Sequence, residues 1–259
     1  MRTLVLSALF ASAALGATLP DPSPAEVDDI IAKFAAKEAA FARARGNYTY
    51  RQTCKIDELD DSGGLQGQYM IVSDIVFTPE GQRTEHVVRA PMSTLSHIIL
   101  TPQDEQDLRD VQPFVLTTAE LPNYYIRYLG REQLDEISTY SFSVKPKKME
   151  QGKRYFEGIV WVDDKDLQIV KTYGRGIGLL KRNEDNQFPK FETYREQIDG
   201  KYWFPTYTIA NDTLNFKDSS QRIRETVKYQ DYKQFKSDIT IKYGDEEKKD
   251  QDKKDPDKK

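Results

Sequence analysis

The chain has 259 residues, of which 38 are basic and 42 acidic, and 38% are hydrophobic. This nearly even charge balance supplies no strongly positive surface for a phosphate backbone, which disfavours nucleic-acid binding. The single cysteine, Cys54, excludes an internal disulfide, so stability has to come from a hydrophobic core, for which the chain is long enough.

The first residues have the pattern of a cleavable signal peptide. Arg2 supplies the positive charge, an apolar run extends from Leu4 to Leu15, and small residues precede a cleavage point before Ala17. The run is shorter than a membrane span, and no cysteine stands at the cleavage point to carry a lipid anchor. We therefore expect residues 1–16 to be removed and the mature domain, residues 17–243, to lie in the periplasm without an integral membrane span. An uncleaved anchor or a buried first helix is the alternative.

A helix is predicted directly after the leader. Ser23 is a suitable N-cap, and Glu26 completes a capping box. Pro24 occupies the first helical position, and Gly46 marks the end of the helix. Large apolar residues recur along one stripe at helical spacing. The stripe consists of Val27, Ile30, Ile31, Phe34 and Phe41. We expect it to cover a β-sheet, and the helix opening as a lid is a further hypothesis.

From Asn47 onwards, alternation of residues with a period of two predicts half-buried strands. Connections such as Asp199-Gly200 are short and turn-like, so neighbouring strands are expected to pair antiparallel. The predicted strands span residues 48–56, 68–77, 82–88, 140–144, 154–162, 167–173, 190–198, 202–209 and 222–232.

Two segments depart from this pattern. Residues from about 90 to 129 mix prolines and apolar residues without a clear period, and we expect a long insertion there, with a short helix over residues 102–110. Residues 244–259 are almost entirely charged and are expected to be disordered, because they cannot bury a core.

No predicted strand is continuously apolar, and no helices alternate with the strands, which favours an antiparallel sheet in a mainly β (α+β) fold. One amphipathic helix cannot cover so many strands lying flat. The sheet is therefore expected to curl into a barrel, a half-barrel or a sandwich.

The sequence contains little catalytic or metal-binding chemistry. Cys54, His86 and His97 are the only nitrogen or sulfur candidates for a metal, and none has ligand spacing. The acidic residues from Asp57 to Asp61 lack the spacing of a calcium loop, so a solvated hairpin loop is expected. Residues Gly174 to Gly178 follow a strand but lack the helix of a dinucleotide site. We predict no catalytic residue, no cofactor and no metal.

Three stretches resemble one known family. Tyr155 to Asp164 followed by Leu167 to Lys171 resembles the strand-turn-strand hairpin of bacterial outer-membrane lipoprotein-sorting proteins, the Lol-type carriers, and Asp199 to Pro205 resembles another of their strand openings. The resemblance implies an incomplete antiparallel β-barrel, or half-barrel, that is covered by helices and shelters the acyl chains of lipoproteins in its concave face. In related proteins the same fold serves as a periplasmic sensor domain.

The resemblance predicts a carrier or binding protein for a lipid or a lipidated protein, without covalent chemistry. Two alternatives stay open: an envelope regulatory or structural module that binds another protein, and a hydrolase that uses scattered carboxylates. Apolar rows on the helix and strands are the candidate ligand-binding residues, with ordinary core packing as the alternative for each. These residues are Phe34, Phe41, Tyr69, Ile71, Ile75, Phe77, Phe156, Val160 and Val162.

Overall fold

The computed structural model of the protein describes residues 20–78, 82–179 and 189–234. The predicted signal peptide and the predicted charged tail lie outside the described residues, as do residues 79–81 of one predicted turn. No helix in the described ranges is long and apolar enough to cross a membrane.

One long helix precedes the sheet. Helix α1 spans Pro24–Ala44, and the predicted capping box is present: the Ser23 backbone N–H donates to the Glu26 carboxylate at 2.7 Å, and the Ser23 hydroxyl accepts from the Glu26 N–H at 3.4 Å. Ten strands and a short second helix follow. They are β1 (Tyr48–Leu59), β2 (Leu65–Phe77), β3 (Arg83–Arg89), α2 (Pro102–Gln106), β4 (Tyr124–Leu134), β5 (Ile137–Pro146), β6 (Tyr155–Asp163), β7 (Ile169–Ile177), β8 (Lys190–Gln197), β9 (Trp203–Asn215) and β10 (Ser220–Gln234).

The ten strands form one antiparallel sheet in the order β3-β2-β1-β10-β9-β8-β7-β6-β5-β4. Consecutive strands are neighbours except for β3 and β4, and β10 pairs with β1. The sheet is open, because β3 and β4 lie at its two ends. The predicted mainly β fold, an incomplete antiparallel barrel with an N-terminal helix, is confirmed.

Strand β4 was not predicted. It begins at Tyr124, inside the segment expected to be an insertion up to residue 129, so the connection between β3 and β4 covers residues 90–123. We call this connection the strap. Tyr125 and Leu129 are exposed apolar residues on the outward face of β4. Because both faces of the strand then carry apolar residues, the sequence lacks the apolar–polar alternation that would have identified a strand. The short helix predicted within this region is present as α2, and a π-helical turn, Asp107–Val111, follows it.

Helix α1 and the strap together cover the inner face of the sheet. The Phe34 ring on α1 packs against Phe142 on β5, with ring centroids 5.4 Å apart. Phe114 of the strap stacks on Phe156 of β6 at 4.4 Å. A second part of the strap packs on β1 and β10 in a separate cluster. Its members from the strap are Ile98, Leu100 and Leu108, and those from the two strands include Cys54, Ile56, Val227 and Tyr229.

A buried ion pair fixes α1 to the sheet. The Glu38 carboxylate on α1 lies 3.1 Å from Arg195 Nη1 on β8, and both side chains are fully buried. Glu38 also accepts the backbone N–H of Ile169 at 3.1 Å, and Arg195 donates to the carbonyl oxygen of Phe114 in the strap. Helix, two strands and strap therefore meet at one hydrogen-bonded centre.

Candidate ligand cavities under the strap

The part of the inner face under α1 is filled by side chains. Phe34, Phe142, Val160 and Val162 have no exposed surface, and Ile30 is almost fully buried. This region is a packed core whose residues interdigitate between helix and sheet.

Under the strap, in contrast, a partly open cavity of about 320 Å³ lies between the strap and the sheet, which we call cavity A. This volume is at the lower end of the range for small-molecule sites. Its walls are mainly apolar and come from both sides. The sheet and its adjoining loops contribute Ile56, Pro189, Leu214, Phe216 and Ile223, and the strap contributes Ile98, Ile99, Leu100 and Leu108. Four polar side chains also line it: His97, Thr101, Asp104 and Glu225.

Glu225 is the most deeply buried polar residue of cavity A, with 6% of its surface exposed. It lies on β10 between Ile223 and Val227, so the strand period turns its side chain toward the inner face. Gln112 Nε2 donates to Glu225 Oε1. Burial raises the pKa of Glu225 to about 7 against the effect of this hydrogen bond, and the negative charges of Asp107 and Asp104 add to the rise.

The strap is fastened beside cavity A by Glu58 at the end of β1. Its fully buried carboxylate accepts three successive backbone N–H groups, from Ser96 at 2.9 Å, His97 at 2.7 Å and Ile98 at 2.8 Å. Burial alone would raise the pKa of Glu58, but these hydrogen bonds hold it below its usual value. They also place Ile98 over the cavity.

The expectation of a solvated hairpin loop was therefore wrong for the first two acidic residues. Asp57 and Glu58 both lie within β1 and are buried. Asp57 accepts from Lys55 Nζ and from Gln68 Nε2, each at 2.9 Å. Strand β1 is therefore longer than the alternation of its apolar residues predicts. At its C-terminal end, the hydrogen bonds of Asp57 and Glu58 take the place of apolar contacts.

A second cavity, cavity B, lies on the other side of Leu108 and has a volume of about 300 Å³. It is more polar than cavity A. Arg83 and Arg109 line it together with Glu85 and Glu105. Arg83 bonds to Glu85 at 3.0 Å, so much of this charge is paired within the wall.

The predicted ligand-binding residues are spread over the molecule rather than gathered in one site. Tyr69 and Ile71 line cavity B. Phe41 and Phe77 line a smaller cavity of about 120 Å³. The remaining predicted residues are buried and have almost no exposed surface: Phe34, Ile75, Phe156, Val160 and Val162.

Sequence reasoning missed the lining of cavity A. One signal was available in β10, where Ile223, Glu225, Val227 and Tyr229 alternate on the inward side and a carboxylate occupies one apolar position. A second signal was the apolar run of residues 98–100 inside the predicted insertion. Within the described part of the chain, no three histidine, cysteine or acidic side chains are grouped for a metal ion.

No protein-family model matches the chain, and no curated protein matches it either. Solved structures similar to it include a LolA-superfamily protein from Nitrosomonas europaea, at 14% identity and a TM-score of 0.38, which covers 79% of this chain and 93% of that chain. A putative outer membrane lipoprotein-sorting protein domain from Vibrio parahaemolyticus matches at 11% identity and a TM-score of 0.37. This match covers 80% of this chain and 94% of that chain. A DUF1329 family protein from Desulfovibrio piger matches at 13% identity and a TM-score of 0.36. This match covers 81% of this chain and 94% of that chain.

The solved structures similar to this chain thus include members of the family that the sequence resembles. At these identities and TM-scores the likeness says nothing about the ligand or partner of this chain, for which its own residues have to provide the evidence.

Proposed function

We propose that the protein is an exported carrier or binding protein that holds an acyl chain, from a lipid or a lipidated protein, in cavity A without covalent chemistry. The observation that supports this is the cavity itself, which has about 320 Å³ between strap and sheet and a lining of nine apolar and four polar residues. Export to the periplasm is part of the proposal and rests on the pattern of the first sixteen residues.

The apolar wall provides the binding free energy. Each methylene transferred from water contributes about 0.8 kcal/mol, which is about a fourfold change in Kd. Affinity in a series of straight-chain ligands should therefore rise by about this factor for each added methylene until the cavity is full, and then level off. The chain length at which it levels off measures the usable length of cavity A.

The strap is the proposed entrance. Helix α1 is held by a packed core and by the Glu38–Arg195 pair, so lifting it would expose buried aromatic rings and leave buried charges unpaired. The strap over cavity A is partly exposed, since Ile99, one of its lining residues, is 89% exposed. In this proposal, the ligand enters by displacing residues 99–106, between the anchor at Glu58 and the Asp107–Arg154 ion pair, while α1 stays in place.

The test is binding of an uncharged fluorescent long-chain alcohol by the mature protein, together with extraction of any lipid that co-purifies with it. Leu214 lines cavity A and is only partly buried, so Leu214→Trp should fill the cavity without disturbing the core. Leu65→Trp is the matched control, because Leu65 is exposed at the start of β2. We expect Leu214→Trp to abolish binding and Leu65→Trp to retain it. Equal binding by both variants, or no binding by the unmodified protein, would contradict the proposal.

A second candidate function is binding of an envelope protein at edge strand β3. Among the described residues β3 pairs with β2 alone, so its outer edge presents backbone groups to a further strand. Val87 and Val88 are 57% and 53% exposed there, and Met92 is 91% exposed just beyond. A photo-crosslinking residue at Val88 should capture one defined envelope protein in cells if this function is correct, and a lack of any captured protein would count against it.

A further inference from the structure

Cavity A has a polar end with a defined chemistry. Two of its lining side chains, Asp104 and Glu225, are carboxylates, and they come from opposite sides of the cavity: Asp104 from α2 in the strap and Glu225 from β10 in the sheet. Asp104 Oδ2 accepts from the backbone N–H of Thr101 at 2.8 Å and from its hydroxyl at 2.7 Å. These bonds fix the carboxylate at the start of α2.

Glu225 is less fully bonded than its burial would require. Its Oε1 accepts from Gln112, but Oε2 has no hydrogen-bond partner in the part of the chain that the structure describes. Oε2 does not belong to the fully buried side-chain atoms that lack a partner in the described residues, and Glu225 lines cavity A, so this oxygen is accessible to a ligand there. Ionising a carboxylate whose residue is only 6% exposed costs free energy. A ligand that carries a donor, and above all a positive charge, would remove this cost.

We propose that the ligand of cavity A is a single-chain amphiphile whose polar end is an amine, bound as an ammonium group facing the carboxylates of Glu225 and Asp104. This inference rests on the proposed function of the same cavity and adds the chemistry of the head group. The apolar walls contribute affinity in proportion to chain length, and the two carboxylates select the cation over a hydroxyl group or a carboxylate of the same chain length.

Proton release accompanies binding. With a pKa of about 7, Glu225 is partly protonated at neutral pH, and an ammonium ion favours its ionised form. Binding therefore expels a proton to solvent, and amine affinity should fall as the pH is lowered. The groups that face Glu225 are Asp104 and Asp107 in the strap, His97 across the cavity, and Cys54 and Tyr229 on the neighbouring positions of β1 and β10.

The experiment compares decylamine, decanol and decanoate, which have the same chain length, by displacement of an uncharged fluorescent long-chain alcohol from the full mature chain. At about pH 8 we expect decylamine to bind at least about tenfold more tightly than decanol, and decanoate to bind most weakly. Between about pH 8 and pH 6 the affinity for decylamine should fall about tenfold, as the ionised fraction of Glu225 falls.

Two variants connect the preference to the carboxylates. Glu225→Gln keeps the size and an acceptor for Gln112, and it should bring the ratio of decanol to decylamine Kd close to one and remove the pH dependence. Asp104→Asn should reduce the same ratio by a smaller factor. Glu136→Gln, in the exposed β4–β5 turn, is the matched control and should keep the ratio of the unmodified protein.

His97 also lines cavity A, so His97→Gln is measured alongside. It should keep the pH dependence. Equal affinity for decanol and decylamine, tighter binding of decanoate, or a preference for amine that survives Glu225→Gln would overturn the inference and leave the proposed function standing. If none of the three ligands binds, the proposed function itself fails.

Discussion

The two covers of the inner face produce two different environments from the same kind of strand. Under α1, a continuous helical stripe fits against β5–β7 and leaves a dense core in which Phe34, Val160 and Val162 have no exposed surface. Under the strap, irregular backbone presents a few apolar side chains over β1 and β10, and cavity A remains between them. A regular helix can place a side chain against every row of a sheet, whereas the strap cannot.

The comparison indicates where a binding site can form on the inner face of an open antiparallel sheet. Alternation in a strand indicates which residues face inward, but the element that covers them decides whether they become core or the wall of a cavity. The polar anchors differ in the same way. The α1 half is tied by the internal Glu38–Arg195 ion pair, and the strap is tied at its edge by the backbone hydrogen bonds of Glu58.

The comparison is most strongly tested by truncating one residue in each half. Phe34→Ala should lower the free energy of unfolding by about 3 to 5 kcal/mol, because it opens a void in a dense core. Leu108→Ala should cost less than about 2 kcal/mol, since Leu108 is only partly buried and already borders cavity A. Urea denaturation of both variants measures the two losses, and equal losses would show that the halves are packed alike.

Breaking the buried ion pair should be almost as severe. Arg195→Met leaves the Glu38 carboxylate buried without its partner, which should cost about 3 kcal/mol or more. Adding Glu38→Leu removes the unpaired charge and should recover much of the loss. If the double variant is no more stable than the single one in urea denaturation, the cost arises from packing rather than from charge.

Glu225 should make the stability of the protein fall as the pH rises, whereas a paired carboxylate with a lowered pKa makes stability rise with pH. Its pKa is near 7 in the folded protein and near 4.5 ordinarily, so between these values the folded state binds more protons and stability falls as pH rises. Between about pH 5 and pH 8 the free energy of unfolding of Glu225→Gln should therefore rise by about 2.5 kcal/mol relative to that of the unmodified protein. A difference in unfolding free energy that does not change with pH would contradict this.

The contribution of Glu58 to stability should depend on pH in the opposite sense to that of Glu225, and more weakly. Its pKa is lowered, so its contribution is present above the ordinary carboxyl pKa of 4.5 and is lost as the pH falls through the lower folded value. Glu58→Gln should cost about 1 to 3 kcal/mol at neutral pH and less in acid. Faster hydrogen exchange at Ser96, His97 and Ile98 would locate the effect in the strap, and unchanged exchange there would show that Glu58 does not fasten it.

The sequence was sufficient for the regular parts of the molecule. The capping box at Ser23 and the period-two alternation predicted α1 and nine of the ten strands, because these signals depend on local physics. Strand β4 was missed because an edge strand with exposed apolar residues does not alternate clearly. Cavity A was missed because its walls combine Ile223 on β10 with Leu108 on the strap, and only the tertiary structure brings such distant residues together.

The most direct test of the account asks which half of the inner face holds the ligand. A nitroxide-labelled decyl amphiphile added to methyl-labelled protein broadens the NMR signals of the methyl groups close to the bound chain. We predict broadening at Ile98, Leu108 and Ile223 around cavity A, with Val160 and Val162 under α1 unaffected. Broadening at Val160 and Val162 with sharp signals around cavity A would contradict the account and place the ligand under the helix instead.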